Sequence, residues 1–397
     1  MSTPTTSWWS TPSLAAGPDG LALDGHPLVT MAREHGTPTY VYSRAHAVRR
    51  LGELRGALAD TGLDHRAYYA LKANRHPPLV GALVEAGAGI DACSPREVAY
   101  ARELGVPADA ISFNAGMLSE RDLDRVVAAG CHVTLDARSA LRRYGARVPR
   151  GTRVGLRLDP GVEAGYGHDP KVVYGNAKFG FLHADLDAAV AAATDAGLVV
   201  DTLHTHCGWG LQADDLAGVD LAFARLAAAA GRVPSVRTVN VGGGLGARQR
   251  EADAPLPLDA WAGLLRRHFG PLGVTVACEP GTFLVAHAGV LLCEVTQVER
   301  KGDVLWAGLD AGHNVNVYAA HYGIPLEIVP VARPDAPRDT PTHVAGNLNE
   351  AGDVFARDRM LPRLHEGDIV ALLPAGAYGA TMASDHCLRG WPAEVTV

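Results

Sequence analysis

Paired cysteines are missing from this chain. Cys93, Cys131, Cys207, Cys278, Cys293 and Cys387 stand singly, with no CxxC spacing. A chain of this length does not depend on covalent staples, so neither a disulfide framework nor a structural zinc site is expected. An excess of positive charge is missing too. Lysine and arginine number 36 against 43 acids, a formal net charge of −7, which argues against a nucleic-acid surface or a polybasic membrane anchor. No segment approaches the roughly 18 unbroken apolar residues of a membrane span. The opening MSTPTTSWWSTPSLAAGPDG also lacks the basic and apolar regions of a secretion signal. The expectation is a cytoplasmic protein that handles small molecules and binds neither nucleic acid nor membrane.

What the chain does have is length and rhythm. Its 397 residues, 47% hydrophobic and 20% charged, suffice for one large α/β barrel with an appendage. From about residue 38, short β-rich runs alternate with Ala- and Leu-rich helical patterns. The runs are PTYVYS, HRAYYALK, GIDACS, ISFNAG, HVTLDA, RVGLRLDP, VVDTLHTH, TVNVGGG and VTVACEPG. They are apolar enough for burial on both faces, and several intervening helical stretches end in Gly, as helix C-termini do. No GxGxxG opens the first βα turn, so a (β/α)8 TIM-type barrel over 38–287 is the more economical reading than an open doubly wound sheet. After 287 the runs read as strands joined by turns, which predicts a mainly antiparallel β domain over 288–397. Residues 1–37 fit neither rhythm and are expected to pack with that β domain.

Reactive side chains of such barrels gather at the C-terminal ends of the strands. Applied here, that rule brings together Lys72, the pair His204 and His206, the triplet Gly242, Gly243 and Gly244, and Glu279. One amine, imidazoles, a bare backbone loop and one carboxylate are what a pyridoxal phosphate site needs. The amine holds the cofactor as a Schiff base, its pKa lowered by desolvation in the barrel wall. The glycine amides are free to cradle a phosphate. The carboxylate pairs with the pyridine nitrogen, and an imidazole such as His206 lies against the ring. Each element taken alone is more often structural. Together, in this order on this fold, they are not easily dismissed.

The motifs YYALKAN, AKFGF, HTHCG, VGGGLG, CEPG, GNLNEAGD (346–353) and AGAYG (375–379) run in the order of a known family. The chain resembles the fold-type III pyridoxal phosphate-dependent decarboxylases, the family of diaminopimelate and ornithine decarboxylases. The resemblance implies Lys72 as the Schiff-base lysine, His206 as the stacked histidine, and Gly242 to Gly244 as the phosphate-binding glycines. It further implies Glu279 on the pyridine nitrogen and Tyr378 reaching the phosphate. It also implies a homodimer with shared active sites, in which Asn349 and Glu350 come from the partner subunit.

Four positions depart from the family's pattern. Thr282 replaces the arginine of EPGR, Tyr318 stands where diaminopimelate decarboxylases carry a second arginine, and Trp209 replaces a phosphate-contacting serine. Asn349 replaces the cysteine that returns a proton after CO2 leaves, and an amide is no acid. Lys72, His206, His321 or a water would have to serve instead. With Tyr322 and Glu350, these positions are expected to face the substrate. Two lost guanidinium forks give up bidentate carboxylate recognition. The expectation is therefore decarboxylation of an amino acid other than meso-diaminopimelate, free or carrier-bound, in a specialised pathway. The alternatives are an altered outcome, decarboxylative deamination or racemisation, and an inert cofactor-binding homologue.

Overall fold

The computed structural model describes residues 7–397. Eight parallel strands close into a barrel in chain order: His65–Ala70, Gly89–Ala92, Ile111–Asn114, His132–Leu135, Arg153–Arg157, Val199–His204, Thr238–Asn240 and Thr275–Cys278. The last strand returns to the first, with Val276 opposite His65. Barrel side chains such as Tyr69, Ile90, Phe113, Leu156 and Leu203 are fully buried, and each such burial is worth about 1.5–3 kcal/mol.

Local signals set the helices between the strands. Pro77–Glu85 and Pro95–Glu103 each place proline in the first turn, where no intrahelical donor is lost. Ser94 caps the second of these by accepting from the Glu97 amide, and Glu97 Oε2 reaches back to the Cys93 amide at 2.7 Å. This fixes the loop after the second strand, which forms one wall of the site. Glu120–Ala129 ends at Gly130, whose φ of 67° is the left-handed conformation that glycine adopts without strain.

The long strand Gly289–Lys301 begins a second sheet, pairing antiparallel with Val304–Leu309, Ile369–Leu373 and Thr39–Tyr42. Thr39–Tyr42, read from sequence as the first barrel strand, thus lies outside the barrel. All four of its residues are buried, so its apolar run looks the same as that of a barrel strand. Only its partners tell the two apart. Leu14–Gly17, Gly20–Leu23 and His26–Pro27 form a small antiparallel meander. There Leu21 and Leu23 pack in one cluster with Val290, Leu292 and Val329 of the C-terminal sheet. Among the described residues no helix is long and apolar enough to cross a membrane.

Candidate active site

The first barrel strand stops at Ala70, and the chain passes through a tight turn, Leu71–Ala73, before the next helix. Lys72 sits on that turn. Its Nζ donates to Asp91 Oδ2 at 2.6 Å, a carboxylate near the end of the adjacent strand. Such a separation marks a charge-assisted bond. Burial opposes the ammonium charge, but the Asp91 carboxylate outweighs it and carries the Lys72 pKa well above its usual value. The expected lowering is therefore corrected: desolvation acts in the anticipated direction, and an acid not anticipated reverses the sum. Burial, then Glu279, pushes the Asp91 carboxyl upward while Lys72 pulls it down. The short contact fits the ionised pair.

Glu279 directly follows the last barrel strand. Its Oε1 accepts from Asn240 Nδ2 at 2.7 Å and Ser112 Oγ at 3.1 Å, and Oε2 lies 3.1 Å from His204 Nε2. Burial works against its charge, yet His204, with Lys72 and Asn240, holds the carboxyl well below the usual range. His206 has its Nδ1 buried without a partner among the described residues and its ring 4.7 Å from the Tyr174 ring, edge to face. Burial, then the charges of Arg157 and Lys72, lowers its pKa far enough that the imidazole is neutral.

The glycine triplet divides its work. The Gly242 amide donates to Asn240 Oδ1 at 2.9 Å. The amides of Gly243 and Gly244 donate to no protein acceptor among the described residues. A Cβ on Gly243 would lie 2.5 Å from the Glu279 carbonyl oxygen, and one on Gly244 2.4 Å from that of Gly208. Gly244 also has a φ of 97°. Both positions thus require glycine, and both keep an amide available to an anion.

Lys72 opens into a cavity of about 1030 Å³ walled on one side by Trp209, Tyr318, Tyr322 and Tyr378. The Trp209 ring meets Tyr318 edge-on at 5.8 Å, and Tyr318 stacks on Tyr378 at 5.3 Å. Trp209 Nε1 donates to the buried Thr282 hydroxyl at 2.7 Å. The Tyr318 hydroxyl is buried with no partner among the described residues. Tyr378 has a φ of 63°, a conformation costing on the order of 1–3 kcal/mol for a non-glycine residue. Its amide is anchored on the Ala73 carbonyl at 2.7 Å.

Asn349 and Glu350 are not brought to this cavity within one chain. Both are exposed, and Glu350 pairs with His386 at 3.1 Å. Their loop is shaped by buried Asp353, which accepts from the amides of His313 and Leu348 at 2.7 and 2.8 Å. His321 is exposed and does not line the cavity. Sequence reasoning also missed several residues. Asp91 is a lone acid in the apolar run GIDACS, and Ser112 and Asn240 are single polar residues at strand ends. Arg157 is buried at the end of the fifth strand with its guanidinium 4.3 Å from the Phe179 ring. Arg75 and Arg96 also line the cavity; in sequence the first reads as an ordinary loop charge and the second as an ordinary charge in a helix's first turn.

A family model described as the pyridoxal binding domain of pyridoxal-dependent decarboxylases matches residues 44–286. The chain is 34% identical to the diaminopimelate decarboxylase of Methanothermobacter thermautotrophicus, over 95% of this chain and 90% of that one. It is 33% identical to that of Pseudomonas fluorescens, over 95% and 91%. The solved diaminopimelate decarboxylase of M. jannaschii, in co-complex with L-lysine, matches with a TM-score of 0.87 over 97% of this chain and 93% of that one. At 24% identity that likeness is one of fold. The chain therefore belongs to the pyridoxal-dependent decarboxylase family. It is a decarboxylase of that class, and its cofactor is pyridoxal 5′-phosphate. The residues present suit that group: an amine at Lys72, a carboxylate held ionised at Glu279, and two unengaged amides at Gly243 and Gly244.

The same relatives overturn an expectation. Two full-length relatives at 33–34% identity are diaminopimelate decarboxylases, so the exclusion of meso-diaminopimelate, drawn from the arginines lost at Thr282 and Tyr318, does not stand. The altered-outcome and inert alternatives go with it. The physical reason lies in the cavity. A missing guanidinium at two positions counts against a dicarboxylate only if no other guanidinium reaches the site, and Arg75 and Arg96 both line it.

Proposed function

We propose that this enzyme removes one α-carboxylate of meso-diaminopimelate, releasing CO2 and lysine. The observation that carries the chemistry is the convergence, at the C-terminal ends of the barrel strands, of Lys72 on the cavity wall, the Glu279 cluster and the two unengaged glycine amides. The substrate is supported by the relatives' activity and by the two guanidinium groups on the cavity wall.

In this reading Lys72 anchors the cofactor, Glu279 faces its pyridine nitrogen, and His206 lies against its ring. Gly243, Gly244 and Tyr378 take its phosphate. When bound, the cofactor supplies an electron sink for the bond that breaks. The protein does the rest. Ser112, Asn240 and His204 keep Glu279 charged without a solvent shell, and Trp209, Tyr318, Tyr322 and Tyr378 exclude water from one side of the cavity. The proton for the product's α-carbon needs a holder, since Asn349 is no acid. Neutral His206 is a poor one. Lys72 Nζ, kept protonated by Asp91, is the group best placed to hold and deliver it.

Asn349 and Glu350 act in this reading on a partner subunit's cavity, in a homodimer. The support is that both are exposed and that neither lines the cavity of its own chain. The test of the whole reading is CO2 release from meso-diaminopimelate with equimolar lysine. Lys72→Ala is expected to lose at least about 10³-fold in kcat, together with the near-visible absorbance of the lysine-bound cofactor.

A further inference from the structure

The cavity is lined by more than its aromatic residues. Arg75, three residues beyond Lys72 on the same loop, and Arg96, in the first turn of the helix Pro95–Glu103, line it as well. Neither guanidinium has an ion-pair or hydrogen-bond partner among the described residues. The Arg75 backbone carbonyl accepts from the Tyr100 hydroxyl at 2.5 Å, which leaves the guanidinium unengaged. The one carboxylate lining the cavity, Glu97, spends Oε2 on the Cys93 amide and forms no ion pair with either arginine. Both side chains are solvent-exposed, so neither carries a buried charge that demands a partner, and two guanidinium groups lining a substrate-sized cavity are free to take an anion.

Building on the decarboxylase reading above, we propose that Arg75 and Arg96 bind the distal carboxylate of the substrate, the one that is not lost. Lys72 fixes where the reacting end of the substrate lies. Arg75 is separated from it by three residues, a span of at most about 11 Å of chain, so a guanidinium on that loop faces the far end of a long dicarboxylate held at Lys72. Arg96 approaches from the neighbouring βα loop, whose course is set by the Ser94 and Glu97 cap. The fork that family members place at the positions of Thr282 and Tyr318 is, in this chain, supplied by Arg75 and Arg96. The space it vacated is filled by the Trp209–Thr282 hydrogen bond and the Tyr318–Tyr378 stack.

These residues position and select the substrate without taking part in bond breaking, so the expected signature is in KM. In the holoenzyme, Arg75→Gln and Arg96→Gln should each raise KM for meso-diaminopimelate about tenfold, and the double variant about 100-fold, with kcat within about threefold of wild type. Arg→Lys at either position should recover part of the loss, because charge is kept and the fork is not. Pimelate, a dicarboxylate with no amine to react, should inhibit the wild type and lose that inhibition in the double variant. Hexanoate, with one carboxylate, should inhibit weakly and equally in both. An unchanged cofactor absorbance and melting temperature establish that the variants fold. A double variant with wild-type KM and wild-type inhibition by pimelate would overturn the proposal even if the enzyme decarboxylates meso-diaminopimelate. A wild type inactive on meso-diaminopimelate would instead overturn the substrate reading. Pimelate binding, followed by spectral titration of the holoenzyme, would then decide the arginine pair separately: weakened in the double variant it stands, unchanged it falls.

Discussion

The Lys72–Asp91 pair sets the charge state of the site. Because Asp91 raises the lysine pKa above its unfolded value, the pair's stabilisation is fully present below the unfolded pKa of about 10.5 and is lost as pH rises through the higher folded value. Asp91→Asn is expected to lower cofactor-free stability by about 1–3 kcal/mol, a modest figure because Lys72 is open to the cavity. The variant's deficit should shrink above about pH 10.5, where the wild type loses the pair as well. Urea denaturation from pH 7 to 11 checks it, and a deficit that does not change with pH would contradict it. At this scale the sequence was partly legible. Lys72, His206 and Glu279 stand at strand ends, where the barrel rule looks for them. Asp91 was hidden because one acid inside an apolar strand has no periodicity to announce it, and its effect on Lys72 depends on a cross-strand distance that spacing does not encode. Arg75 and Arg96 were hidden differently: an arginine on a loop or in a helix's first turn is ordinary until the lining of its cavity is known.

Among the elements, the loop after the seventh strand carries the most constraint. Gly243 and Gly244 run against the backbones of Glu279 and Gly208, so a side chain at either must displace the chain that also positions Glu279. Gly243→Ala is expected to cost about 1–3 kcal/mol of stability and to weaken cofactor binding at least about tenfold. Thermal melting and equilibrium dialysis of the cofactor read the two effects. Gly263→Ala, at a helix position with nothing within 4 Å of the added Cβ, should leave cofactor binding unchanged and raise stability by about 0.5–1 kcal/mol. The barrel itself was readable from its repeated βα rhythm. The strand Thr39–Tyr42 was not correctly placed, because burial on both faces gives the same apolar run whether the neighbours are barrel strands or Gly289 to Leu292 of the second sheet. Pairing is a long-range property, and local pattern does not carry it.

At the scale of the whole molecule, the arrangement leaves Asn349 and Glu350 outside the cavity of their own chain. If they complete a partner's site, mixing Lys72→Ala chains with Glu350→Ala chains should restore about a quarter of wild-type activity per site, because half of the dimers are mixed and each mixed dimer holds one intact site. No recovery on mixing, with the dimer confirmed by sedimentation, would contradict a shared site. The substrate was the feature least legible in the sequence. Two replaced arginines were visible as losses at Thr282 and Tyr318, while the guanidinium groups of Arg75 and Arg96 became visible only once the cavity lining had been placed.

The central claim is that this decarboxylase acts on meso-diaminopimelate with Lys72 as its anchoring amine. Incubating the holoenzyme with meso-diaminopimelate labelled in both carboxylates, and following CO2 and lysine together, tests it most directly. The account predicts one CO2 and one lysine per substrate consumed, and neither from Lys72→Ala. Wild-type holoenzyme that releases no CO2 from meso-diaminopimelate would contradict it.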